Sequence, residues 1–132
     1  MRLLEALQRR WTREILGVRN STYRERLQTI GLYSVYGRLL RNDLVKVWKA
    51  FNGSPDVGLS SLFTVSTNTH TRGHAYKLVV PVARSEARRR TFAVRVVVRW
   101  NGLPSSVVES PTVSTFKSRL DNFLGVELFS AL

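Results

Sequence analysis

Large apolar side chains recur at helical spacing along most of the chain. Leu4, Leu7, Trp11 and Ile15 form a stripe over residues 3–16, with Arg2, Glu5, Arg9 and Arg13 off it and Gly17 as the stop. Thr22 with Glu25 three residues on reads as a capping box, opening a helix whose buried edge is Tyr23, Leu27 and Ile30 and whose end is Gly31. Ser34 caps a third helix running to Phe51. Its stripe of Val35, Leu39, Leu40, Leu44, Val47, Trp48 and Phe51 is wide enough to meet a core on more than one side. Gly37, inside it, weakens the first turn by ~1 kcal/mol relative to alanine.

The helical period disappears from Ser54 to Val82. The segments 62–66 and 75–80 read as short strands flanking the polar loop 67–74, which predicts a β-hairpin leaning on the helices. In the next apolar run Phe92, Val96, Trp100 and Leu103 make one helical stripe, yet Phe92, Val94, Val96, Val98 and Trp100 also alternate. The valine triplet suits a strand. The continuity of the stripe through Leu103, with Pro104 as a stop, favours a helix. After a single turn over 105–109, with Val107 and Val108 inward, Ser110 and Pro111 open a final helix. Its stripe is Val113, Phe116, Leu120, Phe123 and Leu124, and Gly125 ends it. The expected architecture is a single, mainly α domain of about five helices with one β-hairpin. A three-helix basic segment spans 1–53, the hairpin and loops 54–83, two helices 84–125, and a loosely docked tail 126–132. Trp11, Trp48 and Trp100 all lie on apolar stripes and read as core.

Charge changes this picture most. The 132 residues carry a formal charge of +12, and arginine supplies seventeen of the twenty-one basic side chains. Residues 1–50 hold net +7 and residues 84–99 net +5, whereas residues 100–132 hold net −1. Two positive blocks imply attraction to polyanions, nucleic acid first and anionic membrane second, and arginine suits bidentate phosphate contact. A generically solvated surface is the plainer alternative. A membrane-surface role requires the 3–16 helix to be exposed rather than packed. An arginine-rich amphipathic start also fits a mitochondrial presequence, against which Glu5 and Glu14 count. No apolar run reaches the ~20 residues of a membrane span, and the chain has no cysteine, so no disulfide or thiolate chemistry.

Catalytic chemistry finds little footing. His70 and His74 lack a third metal ligand nearby, Asp43, Asp56 and Asp121 are widely spaced, and no nucleotide-binding or nucleophile-elbow motif occurs. The chain itself is therefore read as non-enzymatic, with no cofactor. Binding chemistry is better represented. Arg72, Gly73, His74 and Lys77 offer a guanidinium, a free turn, an imidazole and an ammonium, a set able to grip phosphate or to stack on a base; a plain hairpin turn explains them equally. Arg84, Arg88, Arg89 and Arg90 form a charge run next to Tyr76 and Phe92, an interleaving that fits single-strand or backbone binding, though a solvated linker has the same composition, and Arg95 and Arg99 extend the basic block. Arg9, Arg10 and Arg13 complete the candidate set.

The order of landmarks carries more information than any one of them. Leu4, Gln8, Arg9, Arg10, Thr12, Arg13, Ile15 and Gly17 are followed by Tyr23, Arg26 and Leu27. Next come Gly31-Leu32-Tyr33-Ser34, Arg38, Asp43-Leu44, Lys49 and Gly53, then Thr71-Arg72-Gly73-His74 and Lys77-Leu78. Arg95-Val96-Val97, Trp100-Asn101, Leu103-Pro104, Phe116-Lys117 and Leu120-Asp121 finish the series. Together they resemble the region downstream of the polymerase domain in reverse transcriptases of jockey-like non-LTR retrotransposons. Thr91, Leu39 and Gly37 depart from that pattern. The resemblance implies a parent polyprotein with an endonuclease and an RNA-directed DNA polymerase, in which this region helps to hold template RNA or target DNA. The palm's Tyr-x-Asp-Asp motif is absent here. The expected function is thus that of a nucleic-acid-binding module without catalysis. It would contact RNA or DNA through phosphates, and the remainder of the polyprotein, in a nuclear or cytoplasmic ribonucleoprotein. The alternative is a non-catalytic structural or interaction protein, or a decayed remnant of the element.

Overall fold

The computed structural model describes residues 2–15, 20–52, 63–66, 73–80, 84–89 and 91–130. It is mainly helical. In chain order the helices are α1 (Arg2–Arg13), α2 (Tyr23–Ile30), α3 (Val35–Phe51), α4 (Glu86–Arg89), α5 (Phe92–Asn101), α6 (Ser105–Val108) and α7 (Val113–Leu124), followed by a 3-10 turn over Gly125–Phe129. They fall into two compact units, one of Met1–Arg41 with Leu124–Leu132 and one of Asn42–Phe123.

In the first unit the capping box of α2 forms as its sequence dictates. The Glu25 N–H donates to Thr22 Oγ1, the Thr22 N–H donates to Glu25 Oε2 at 2.8 Å, and Gly31 closes the helix with φ of 69°. Ser34 caps α3, its Oγ accepting the Gly37 N–H at 2.9 Å. Residues 128 and 129 are docked rather than loose. Leu128 is buried, Phe129 meets Tyr33 edge to face at 5.4 Å, and the Leu128 carbonyl accepts the Ser34 N–H at 2.9 Å. One apolar anchor and a backbone bond hold what composition alone left as a tail.

α1 reverses the expectation for its faces. The helix forms, but Leu3, Leu4, Leu7 and Trp11 are exposed, Trp11 to 62%, while Glu5 and Thr12 are buried. The inner contacts of α1 are polar. Glu5 accepts the Val35 N–H at 3.2 Å, the Tyr36 N–H at 3.0 Å and the Tyr23 hydroxyl. Gln8 Nε2 donates to the Tyr33 carbonyl at 3.0 Å. Two open N–H groups at the start of α3 make a site for an anion, and Glu5 fills it. Trp11 is therefore not a core residue.

In the second unit the core is aromatic. Trp48 stacks on Phe116 at 5.6 Å, Phe51 on Trp100 at 5.5 Å, and Trp100 also meets Phe116 at 6.2 Å. Leu44, Val47, Val96, Val97, Leu103, Val107, Val108 and Leu120 fill the space around them. Each fully buried aliphatic side chain contributes about 1.5–3 kcal/mol. Residues 92–101 are helical, as the continuous stripe predicts: a strand would have turned either Val96 or Val97 outward, and both are buried. Pro104 does not cut α5 short; Gly102 ends that helix, and Pro104 stands before α6. α7 begins two residues later than Ser110 and Pro111 suggest. Thr112 Oγ1 accepts the Thr115 N–H at 3.2 Å, whereas Ser110 is buried and donates to the Val107 carbonyl at 2.7 Å. Phe123, assigned to the buried stripe, is exposed.

The β-hairpin does not form among the described residues. The segments 63–66 and 73–80 meet at one antiparallel bridge, Val65 with Leu78, flanked by Ser66 N–H to Lys77 carbonyl and Val79 N–H to Thr64 carbonyl bonds of 2.7 Å. Asn101 holds the opposite edge of this segment. Its carboxamide accepts the Leu78 N–H and donates to the Leu78 carbonyl, both at 2.8 Å, through groups that face away from 63–66. The loop 67–72 lies outside the described residues.

Candidate nucleic-acid interface

The candidate cations separate into two sets, one in each unit. In the first, Arg9, Arg10 and Arg13 stand in solvent on α1, and Arg2 joins them. At 100° per residue Arg2, Arg9 and Arg13 line one edge of the helix, apart from the leucine face. Arg9 also places its guanidinium 5.0 Å above the Tyr23 ring. Arg26, by contrast, is buried and hydrogen-bonds neutral oxygens: the Ser21 carbonyl at 2.7 Å, the Arg9 carbonyl and Thr12 Oγ1. Arg2 was missed from sequence; its spacing of seven from Arg9 was the available signal.

The second set is less available. Arg84 is exposed. Arg95 is half exposed but forms an ion pair with Asp43 at 2.7 Å, a contact that joins α5 to α3. Arg99 is only partly exposed. The side chains of Arg88 and Arg89, and the whole of Arg72 and Arg90, lie outside the described residues.

His74 is a core residue rather than a surface contact. Its Nδ1 accepts the Tyr76 N–H at 3.1 Å, so Nε2 carries the hydrogen and donates to the Trp100 carbonyl at 3.0 Å. Burial pushes its pKa below the ordinary 6.5, against the Trp100 carbonyl, which favours the cation. Lys77 is half buried, its stem passing over Gly73, where an added Cβ would lie 3.1 Å from Lys77 Cε. Trp100 Nε1 donates to the Tyr76 carbonyl at 2.9 Å. The landmarks Gly73-His74, Lys77-Leu78 and Trp100-Asn101 thus converge. What they build is a clamp that fastens 73–80 to the end of α5.

No family model, no curated protein and no solved structure matches the chain. Among the described residues no group of three or more His, Asp or Glu side chains is placed to hold a metal ion. None of their helices is long and apolar enough to cross a membrane. Among the described residues the arrangement offers cations on helical scaffolds.

Proposed function

We propose that the chain is a nucleic-acid-binding, non-catalytic module of the kind found downstream of the polymerase in non-LTR retrotransposon reverse transcriptases. The observation that carries the binding half is the edge of α1. Arg2, Arg9 and Arg13 face solvent there, while Glu5, the one acid within α1, is turned inward to cap α3. Guanidiniums spaced along a rigid helix engage successive phosphates without reading bases. The retroelement half is supported by the collinear landmarks, several of which serve one structural clamp. RNA and DNA are both candidate ligands, and the rest of a polyprotein is a candidate neighbour.

The test is fluorescence anisotropy of labelled single-stranded RNA and duplex DNA across a salt series. The affinity should fall as salt rises, by roughly 0.7 to 0.9 of a log unit per contacted phosphate for each tenfold step. Association that is weak and insensitive to salt would instead favour a structural protein or retroelement remnant. That second reading draws on His74 and Arg95, whose side chains are already engaged within the fold.

A further inference from the structure

α1 carries a second surface, distinct from its arginine edge, that the nucleic-acid reading does not use. Leu3, Leu4, Leu7 and Trp11 make a continuous apolar face that stands in solvent. This is not a helix that failed to find its core. The opposite side is held by specific polar contacts, with the Glu5 carboxylate on the Val35 and Tyr36 N–H groups and Gln8 on the Tyr33 carbonyl and the Tyr23 hydroxyl. Turning the leucines inward would break every one of those bonds. The outward face is therefore a fixed feature of the fold.

We propose that this face seats α1 on an anionic lipid surface, lying in the plane of the headgroups. Three features favour that occupant. The helix is strongly amphipathic yet of low mean hydropathy, the combination that adsorbs to an interface without spanning it. Exposed Arg10 borders the apolar face, with Arg13 and Arg2 beyond it on the same side, so with the leucines at the acyl boundary their long stems reach lipid phosphates. Trp11 supplies the aromatic ring that such boundaries favour. A second copy of the chain is disfavoured as occupant, because each copy carries +12. Nucleic acid fits the arginines but leaves three leucines without a stacking partner.

Co-sedimentation of the full chain with vesicles of roughly three parts phosphatidylcholine to one part phosphatidylserine tests this. The chain should pellet with these vesicles and far less with pure phosphatidylcholine. Its tryptophan emission should shift to the blue and be quenched by spin-labelled lipid, a signal belonging to Trp11 because Trp48 and Trp100 are buried. The double variant L4S/L7S keeps every charge and should lower partitioning by at least about tenfold, while Trp11→Phe should retain it. These positions are exposed, and circular dichroism checks that the variants remain helical. Three results would overturn the proposal: no pelleting with anionic vesicles, equal pelleting of the double variant, or a Trp11 signal that answers to single-stranded RNA but not to vesicles. The last would assign the face to nucleic acid.

Discussion

Glu5 Oε2 lies 3.0 Å from the backbone nitrogen of Tyr36, so a side chain from α1 supplies the cap that α3 lacks locally at that position. Oε1 takes the Val35 N–H and the Tyr23 hydroxyl as well. A buried carboxylate with three donors is strongly tied, and removing it strands those donors. Glu5→Ala should destabilise the chain by about 2–3 kcal/mol, and Glu5→Gln by somewhat less, since one acceptor oxygen remains. Thermal unfolding followed by circular dichroism measures this, and an unchanged midpoint in both variants would refute it. The same contact reaches Tyr23, whose pKa is pushed up to about 12 by burial and by its bond to Glu5. The folded chain then holds that proton more tightly than the unfolded one, so this contribution is intact below pH 10 and lost as pH rises towards 12.

Gly37 gives a prediction opposite to helix propensity. A Cβ there would sit 2.2 Å from the Leu128 carbonyl oxygen, which is backbone and cannot rotate aside. That carbonyl is also the acceptor for the Ser34 N–H. Gly37→Ala should gain ~1 kcal/mol of helix propensity and lose more to overpacking, for a net destabilisation of about 1–2 kcal/mol. Chemical denaturation reads the sign directly.

Gly37 and α1 together mark what sequence could and could not convey. Where a local rule decides, it was legible: the Thr22–Glu25 box, the Gly31 terminus, the Ser34 cap and the helical identity of 92–101 all follow from spacing and residue type. Where two elements compete for one surface, it was not. α1 has an apolar face and a polar face, and only the unfilled N–H groups of Val35 and Tyr36 decide which turns inward. Gly37 looks like a flaw in α3 until the Leu128 backbone is placed against it. His74 looks like a loop ligand until its two nitrogens are seen bound to main-chain groups 26 residues apart or nearly adjacent.

The ion pair of Arg95 with Asp43 predicts a rank order among the arginines. Arg10 and Arg13 are exposed on α1, whereas the Arg95 guanidinium is already matched to a carboxylate. Under the proposed function, Arg10→Ala and Arg13→Ala should each lower RNA affinity several-fold and reduce the salt slope by about 0.7. Arg95→Ala should change affinity by less than about twofold but cost more stability than the ~1 kcal/mol of an exposed pair, because it leaves the buried Asp43 carboxylate unmatched. Asp43→Asn frees Arg95 and should raise affinity. Equal losses for Arg95 and Arg13 would show that the pair does not restrain Arg95 in the complex.

His74 predicts an acid-sensitive clamp. Its Nδ1 can accept the Tyr76 N–H only while unprotonated, and burial opposes the cation, so the folded-state pKa lies below 6.5. Between that value and 6.5 the unfolded chain binds more protons than the folded chain, and stability therefore rises with pH across this window. The contribution is complete above 6.5, declines as pH falls through the folded-state pKa, and is flat below it. Urea unfolding at a series of pH values should show this fall in the native chain and a shallower one in His74→Gln, which cannot titrate. The variant should also cost about 1–3 kcal/mol at neutral pH by loosening 73–80 from α5. Amide exchange at Tyr76 locates the effect: its N–H should lose protection as pH falls, beyond the intrinsic trend, while the Leu78 N–H, held by Asn101 Oδ1 at 2.8 Å, should keep more of it. Parallel behaviour of the two amides would mean that the segment detaches as a whole and that His74 is not the group that releases it.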